Sequence, residues 1–496
     1  MVNNLTDTIA AISTAPGSSG IGIIRISGED AFTISDKLFC RNKEAFLSIC
    51  DKYSFNDSCG DFPSTNDVSA MNNYEIRHGY IYEFVKNKDE NGTECFVPEF
   101  VDECLLSKMP APFSYTGENV VEINCHGSFA VLRRVLAAVI KRGARPAEPG
   151  EFTKRAFLNG KLDLAKAEAV MDIINAKTEQ SRKAAVSQLE GRLSNQIEEI
   201  RTSLIGCLAE IDVSIDYPEY EMDGITGDHS MQIMIDAENG LKRLSDTYYR
   251  GRLIKEGINL VLSGCPNAGK SSLMNVLSGY NRAIVTDIPG TTRDVIEEFI
   301  QIDGISVTVT DTAGLRETDD VVEKIGVDKA IDRISEAELV IYIADAENIA
   351  DEGVLFEHKK LLQEDKTIVI INKIDVAPEK NILMLRDLFK DFNIAEMSMK
   401  TEQGVEKLYS IIKEKFAFGE IFENSENILT NERHKALVDA ALVHLDKAKE
   451  SYESGMPLDC ISYDIWLCAE KLGEIMGKSV SEEVVNDIFS RFCVGK

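Results

Sequence analysis

No stretch of this 496-residue chain reaches the roughly eighteen consecutive apolar residues that a helix needs to cross a bilayer. The longest apolar runs, Leu339 to Ala344 and Thr367 to Ile371, have the length of buried strands. Met1 to Asp7 is polar and lacks a basic segment followed by an apolar one, which argues against a secretory signal. The 11 cysteines form no C-x-x-C pair and the 6 histidines are dispersed, which argues against a disulfide framework and a cysteine-rich zinc site. A reducing, cytoplasmic setting is expected. Positive charge is also scarce: 54 Lys and Arg stand against 83 Asp and Glu, for a net charge of −29. Such a chain has no general attraction for phosphate backbones, so a nucleic acid must meet a local basic patch or a second protein. Lys154, Arg155 and Lys161 form one modest cluster, for which solvated surface cations are the commoner reading. There is no internal repeat and no low-complexity segment.

What is there suits a soluble protein with several cores: 44% hydrophobic and 28% charged residues over a length that suggests about three domains. Residues 1–159 read as mixed α/β. Thr8–Ser13, Ile21–Ile26 and Val120–Cys125 are strands, Phe129–Lys141 is a helix, and Asn42–Asn73 is a long loop or insertion. From 160 to 256 the pattern is helical. Val186, Leu189, Leu193, Ile197, Ile200, Leu204, Leu208 and Ile211 recur at spacings of three and four, as one stripe of a long helix. Residues 257–418 alternate strands (Ile258–Ser263, Ser306–Asp311, Leu339–Ala344, Thr367–Asn372) with helical stretches, the pattern of a doubly wound, mostly parallel sheet. Helical periodicity returns over 419–496, with a helix over Asp464–Met476 and Ser479 and Glu482 as a capping box for the last one. The expected fold is therefore an α/β domain inserted into a helical domain, preceded by an α/β N-terminal domain.

The inserted segment carries the chemistry. Gly264-Cys265-Pro266-Asn267-Ala268-Gly269-Lys270-Ser271 satisfies G-x-x-x-x-G-K-[ST] between a strand and a helix. Its glycines let main-chain N–H groups converge on phosphate oxygens at a helix N-terminus. Lys270 adds a charge near the β- and γ-phosphates, and the Ser271 hydroxyl suits Mg²⁺. Asp311-Thr312-Ala313-Gly314 follows the next strand; the carboxylate can hold a metal-bound water, and the Gly314 N–H can meet a γ-phosphate. Asn372-Lys373-Ile374-Asp375 ends a third strand. The Asp375 carboxylate can accept both the ring N–H and the exocyclic amine of guanine, a donor pair that adenine lacks. Ser398-Met399-Lys400 supplies a loop over the base, and a threonine of Gly290-Thr291-Thr292-Arg293-Asp294 can complete Mg²⁺ coordination. Each short piece alone reads as a surface turn; four in this order define a GTP site.

These residues resemble a known family. Gly264–Leu273, Thr286–Asp294, Asp311–Arg316 and Asn372–Asp375 look like the G domain of the MnmE (TrmE) tRNA modification GTPases, a branch related to Era and EngA. Asp7–Ala10, Ile21–Gly28, Tyr115–Glu118 and Pro149–Leu164 resemble the family's N-terminal domain, and Phe492–Lys496 its C-terminal C-x-G-K. The resemblance implies a GTPase that works with the FAD-containing flavoprotein MnmG. Together they add an aminomethyl or carboxymethylaminomethyl group to carbon 5 of the wobble uridine of tRNA, with a tetrahydrofolate derivative as one-carbon donor. It implies folate binding by residues 1–159, with Arg25, Glu122, Lys161 and Lys496 at contact positions. A carboxylate such as Glu122 suits the amide and amine edge of a pterin; the cations suit an anionic tail. Cys493 is either a reactive thiol or a small buried residue.

The resemblance also implies a different hydrolytic plan. Leu315 follows Gly314, where Ras-like proteins place a water-orienting glutamine. The family uses potassium instead, with Asn267, the carbonyls of Thr286 and Ile288, and Thr291 at the matching positions. Its water-orienting glutamate maps to Glu323, which on its own residues reads as a helix-surface charge. Lys270 and Asn267 complete the catalytic set. Nucleotide contacts are expected from Asn267–Ser272, Thr286, Asp287, Ile288, Pro289, Gly290, Thr291, Thr292, Asp311–Gly314, Asn372, Lys373, Asp375 and Ser398–Lys400. A homodimer through the N-terminal domain is implied, with the G domains meeting during hydrolysis. Cys265, Met399 and His126-Gly127-Ser128 depart from the family's usual residues at positions that leave nucleotide binding intact. Two other readings compete. A regulatory GTPase switch of the ribosome-assembly kind would not need Arg25, Glu122, Lys161 or the terminal motif. A helical scaffold with a degenerate site would not keep Lys270, Ser271, Asp311 and Asp375.

Overall fold

The computed structural model describes residues 7–15, 17–50, 64–88, 94–216, 225–280, 297–311, 334–416 and 428–496. The chain divides into two compact units, Met1–Met171 with Gly473–Lys496, and Asp172–Leu472. Among the described residues no helix is long and apolar enough to cross a membrane.

The first unit is built on a seven-stranded sheet. Its strands are β1 (Ile9–Ile12), β2 (Ser19–Ser27), β3 (Phe39–Cys40), β4 (Ile76–Lys88), β5 (Glu94–Met109), β6 (Val120–Gly127) and β7 (Arg145–Pro146), in the order β3-β4-β5-β6-β2-β1-β7. All neighbours are antiparallel except β1 and β7. Alternation along each strand sorts the faces. Ile24, Ile26, Val121 and Ile123 join Leu132, Val135 and Val139 of the Phe129–Lys141 helix in one core. Arg25 and Glu122, one position out of step, face the other way and stand opposite each other in the β2–β6 register.

The segment Asn42–Asn73 differs from the expected loop. A helix covers Lys43–Cys50, with Phe46 packed 4.4 Å from the Tyr82 ring. Val68 and Met71 are buried in the main core. The Asp36 carboxylate takes the Val68 and Ser69 amides at 2.6 and 3.2 Å, so a polar-looking stretch is tied down by one buried acid. Residues 51–63 lie outside the described set.

Arg155, read as a candidate surface cation, is instead almost fully buried. Its guanidinium donates to the Asp7 carbonyl (2.8 Å) and carboxylate (2.7 Å), to Glu118 (3.1 Å) and to Glu151 (3.1 Å). Arg145 adds bonds to Asp7 and Glu151. Burial pushes the Glu151 carboxyl up, but the bonds from Arg145, the Glu148 amide and Arg155 outweigh it and hold it below its ordinary 4.5. Asp7 is likewise held below 3.8 by Arg145 and Arg155 against its desolvation.

In the second unit, helices Glu179–Leu189, Arg192–Asp216, Ile225–Asp246, Tyr248–Glu256 and Glu432–Glu453 flank an inserted sheet. The expected single long helix is broken: Gly191 takes φ +89°, so Val186 and Leu189 belong to the preceding helix. Leu193, Ile197, Leu204 and Ile211 remain the buried stripe. The cap of the last helix of the chain, Glu482–Ser490, is Ser481, which accepts from the Val484 amide; the Ser479–Glu482 box does not form.

The inserted sheet comprises β8 (Ile258–Gly264), β9 (Glu297–Ile302), β10 (Ile305–Asp311), β11 (Leu339–Asp345), β12 (Thr367–Asn372) and β13 (Asn393–Met397), ordered β13-β12-β11-β8-β10-β9. It is parallel except for the β9–β10 hairpin. Both faces are covered. Leu260, Leu262, Ile341, Ile343, Ile368 and Ile370 feed one core, and Val261, Val340, Tyr342, Val369 and Ile371 the other. That is why these strands read as unbroken apolar runs.

Replacing the buried Arg155 by methionine takes one of their two cations from Asp7 and Glu151 and the arginine from Glu118, and is expected to cost about 3–5 kcal/mol. Faster amide exchange in β1 and β2, with β11 and β12 unchanged, would show it. The pH effect has a definite sign. Because Asp7 and Glu151 titrate below their unfolded values, their contribution is complete above those values and is lost as pH falls through the folded ones. The melting temperature of the first unit should drop between neutral pH and about pH 3, and drop less in the Arg155→Met protein.

Candidate functional site: a phosphate loop and an arginine–glutamate pair

β8 lies between β10 and β11, at the point where the strand order reverses. Loops at the carboxyl ends of strands around such a point form a ready crevice. The loop from Gly264 to Lys270 leaves β8 there, with φ of +139° at Gly264, +60° at Asn267 and +114° at Gly269. Space is as restrictive as torsion. A Cβ on Gly264 would stand 2.4 Å from the Ile343 carbonyl, and one on Gly269 2.4 Å from Asn372 Nδ2. The loop runs into the helix Lys270–Tyr280, whose first-turn N–H groups face the concavity. Lys270 Nζ donates to the carbonyls of Gly264 (2.7 Å) and Cys265 (3.2 Å). Asn267, Ser271 and Ser272 are exposed around it.

Asn372, at the end of β12, is buried; its Nδ2 donates to the Ala268 carbonyl at 2.8 Å, and its Oδ1 accepts from the Met399 amide at 3.3 Å. One side chain thereby joins the phosphate loop, β12 and the Ser398–Lys400 loop. Lys373 follows in the left-handed region (φ +64°) with its Nζ on Asp345 (2.7 Å) and Glu347 (3.1 Å), and Asp375 is exposed in the next turn. Ser398 is buried and accepts from the Thr401 amide; its own amide donates to Gln403. The structure therefore gathers Asn267–Ser272, Asn372–Asp375 and Ser398–Lys400 at one edge of the sheet. Asp311 ends β10 beside Leu262 of β8. Thr286–Asp294, Thr312–Leu315 and Glu323 lie outside the described residues.

A second polar site sits on the first unit's sheet. Arg25 Nε donates to Glu122 at 2.9 Å, and a second guanidinium nitrogen lies 2.8 Å from the same oxygen. The rings of Tyr115 and Phe152 lie 5.4 and 5.6 Å from the Arg25 guanidinium carbon, a cation–π arrangement that holds the charge in place. The C-terminal tail reaches this pair. Gly495 O accepts from Arg25 (3.3 Å) and from Ser13 (3.1 Å), Val494 bridges to Pro149, and the Lys496 amide donates to the Cys493 carbonyl. Gly495 has φ +92°, and a Cβ there would stand 2.3 Å from the Ile12 carbonyl. Arg25, Glu122 and the segment ending in Lys496 thus come together. The contacts of Lys161 run elsewhere, to the Pro112 carbonyl at 3.1 Å and the Phe113 ring at 5.9 Å. Cys493 is exposed, which removes the alternative of a buried packing residue. Sequence reasoning did not single out Asp345, whose one signal was an acid ending an apolar strand, nor the hub made by Arg155.

A central strand that ends in a G-x-x-x-x-G-K-S loop, tied to an N-K-x-D strand end, defines a GTPase of the P-loop class. A family model described as "MnmE helical domain" matches residues 164–493, and one described as "GTP-binding protein TrmE N-terminus" matches 8–161. The chain is 48% identical to the tRNA modification GTPase MnmE of Acetivibrio thermocellus, over 99% of each chain. It is 42% identical to that of Carboxydothermus hydrogenoformans, over 99% of this chain and 100% of the relative. The chain belongs to the MnmE family. Among solved structures, the G domain of the T. maritima FeoB iron transporter shares 30% identity, with 33% of this chain and 98% of that one covered at a TM-score of 0.25; the strand order above does not lean on that overlay.

Asn372→Ala should weaken GDP binding about tenfold or more, because the Ala268 carbonyl and the Met399 amide each lose a buried partner at roughly 1–3 kcal/mol. Fluorescent GDP titration measures it; unchanged affinity would mean that the two loops hold their places without this amide.

Proposed function

We propose that this protein is a tRNA modification GTPase, whose GTP hydrolysis supports addition of an aminomethyl or carboxymethylaminomethyl group to carbon 5 of a wobble uridine, in concert with the FAD-bearing flavoprotein MnmG. The observation that carries the reading is the seat of the terminal Cys493-Val494-Gly495-Lys496 on the sheet beside Arg25 and Glu122. A pure switch has no need of that construction.

The nucleotide is held by main-chain groups of Asn267–Ser272 and by Lys270, which exchanges its carbonyl partners for phosphate oxygens of higher charge. Asp375 reads guanine, with Lys373 and the Ser398–Lys400 loop bounding the base. Thr286–Thr292 and Asp311–Gly314 complete the contacts. The exposed hydroxyl of Ser271, in the first turn of its helix, fits a hard cation. Ser271 and Thr292 would hold Mg²⁺, which supplies neutralisation of the phosphates. Asn267, exposed at the loop tip, with Thr286, Ile288 and Thr291, would hold K⁺, which supplies the charge an arginine finger gives elsewhere. Glu323 orients the attacking water, a task that Leu315 cannot perform.

In the first unit, the chemistry of the Arg25–Glu122 pair fits a folate: a carboxylate for the amide and amine edge of a pterin and a fixed guanidinium for an anionic tail. Arg25, Glu122, Lys161 and Lys496 would hold the tetrahydrofolate derivative, which supplies the one-carbon unit, and Cys493 offers an exposed thiol near it. The protein acts in the cytoplasm as a homodimer through the N-terminal domain, its G domains meeting during hydrolysis.

Nucleoside analysis of tRNA from cells lacking this protein tests the reading: wobble uridines without the modification are expected, and unaltered ones would favour the regulatory switch. GTP turnover should rise several-fold when potassium replaces sodium; equal rates in both salts remove the potassium assignment. Asp375→Asn should weaken GTP by about two orders of magnitude and admit xanthosine triphosphate, and unchanged GTP affinity would refute the base-reading role.

A further inference from the structure

We infer that Asp345 is a positioning residue for the guanine pocket, fixing Lys373 against the base. The inference rests on the guanine-reading role of the Asn372–Asp375 segment proposed above.

Asp345 ends β11 directly opposite Asn372 in the β11–β12 register. Its side chain is divided between two tasks. Oδ1 accepts from the amides of Glu347 (2.9 Å) and Asn348 (3.1 Å), which closes the turn after β11 and fixes the carboxylate's plane. Oδ2 accepts from Lys373 Nζ at 2.7 Å. Only 10% of the Asp345 side chain is exposed, against 46% for Glu347, the second carboxylate on Lys373. The screened bond to Glu347 is therefore the weaker of the two.

Lys373 needs such a restraint. Its backbone is in the left-handed region that a non-glycine residue seldom adopts, and its carbonyl closes the following turn through the amides of Val376 (3.1 Å) and Ala377 (3.0 Å). The turn it closes carries Asp375. With the Ala346 amide donating to the Asn372 carbonyl at 3.1 Å, the end of β11 is laced to the base-reading strand end at two levels, and the Asn381 side chain of the following helix ties the same turn through the Ala346 carbonyl at 2.9 Å. A four-carbon stem held at its tip forms a fixed apolar wall, which a free lysine would have to be ordered into on each binding event. Hydrogen bonding by Asp345 also holds the Lys373 ammonium above its ordinary pKa, so it stays charged at any working pH.

The test uses the full chain and fluorescent GDP and GTP. Asp345→Asn, which keeps size but loses charge, should weaken both nucleotides alike by about tenfold, mainly through faster release, with kcat at saturating GTP unchanged. Asp345→Glu should recover part of the affinity, and Glu347→Gln should change it less than twofold. The deciding measurement is the cycle with Lys373→Met. If Asp345 acts through Lys373, the double variant binds no more weakly than Lys373→Met alone. Additive losses, or unchanged GDP affinity in Asp345→Asn, overturn the proposal. Should Lys373→Met itself bind normally, Lys373 does not bound the base and the proposal falls with it, whereas failure of guanine reading would show in Asp375→Asn, so the two failures stay distinct.

Discussion

The nucleotide site depends on one buried carboxamide. Asn372 offers a donor and an acceptor in fixed relation, and spends the donor on the phosphate loop and the acceptor on the base loop. Because it is buried, neither bond can be exchanged for water without leaving a polar atom unsatisfied. The distance between the Gly264–Lys270 loop and the Ser398–Lys400 loop is thus set by this one side chain. Gly269 belongs to the same constraint: its missing side chain is what lets the Asn372 amide approach. Strand packing supports the arrangement from below, since β8, β11 and β12 are parallel neighbours buried on both faces and cannot slide without exposing one core.

A different constraint governs the first unit. One face of its sheet is packed under the Phe129–Lys141 helix, and the other holds charge between smaller apolar clusters. Arg155 is the keystone of the second arrangement: it draws Asp7, Glu118 and Glu151 together and so joins the start of the chain, the loop before β6 and the helix Glu151–Leu158. Ser27 and Thr116 extend the network through Glu118. The terminal nitrogens of the buried Arg155 guanidinium are all engaged, so its partners become expensive to disturb singly. The terminal tail is seated by shape. Gly150, with φ +67°, lies where a Cβ would meet the Phe489 carbonyl at 2.5 Å, and Gly495 plays the same part against Ile12. Phe489 and Phe492, packed 5.1 Å apart, anchor the tail just before it reaches Arg25.

The parts legible in the sequence were those fixed by local pattern. The parallel strands showed as apolar runs because both of their faces are buried. The phosphate loop and Asn372–Asp375 showed because backbone geometry at those points tolerates few residue types. The helical stripe gave the correct buried positions but not the break at Gly191, since three- and four-residue spacing survives a short interruption. Long-range partners left no such mark. The sequence shows Asp36 as a polar residue among others, and only the fold brings the Val68 and Ser69 amides to it. Arg155 looked like a surface cation because two of its three carboxylate partners, Asp7 and Glu118, are far away in the chain. The hairpin β4–β5 went unread, its strands mixing exposed apolar residues such as Ile76 and Leu105 with charges that face solvent.

Both sites solve one physical problem in the same way. A long cationic side chain is useful for binding only if its many rotamers are not lost afresh with each ligand. Arg25 is paired with Glu122 on the adjacent strand, in register and flanked by two aromatic rings. Lys373 is paired with Asp345, from the strand next to its own. In each case the carboxylate comes from the sheet rather than from a loop, so its position is inherited from the ladder of backbone hydrogen bonds. This choice has a chemical consequence. A cation held this way keeps one position, so its flat or apolar surfaces are presented in a fixed place. Lys270 is built on the opposite principle. Its Nζ donates to two main-chain carbonyls of its own loop, Gly264 and Cys265.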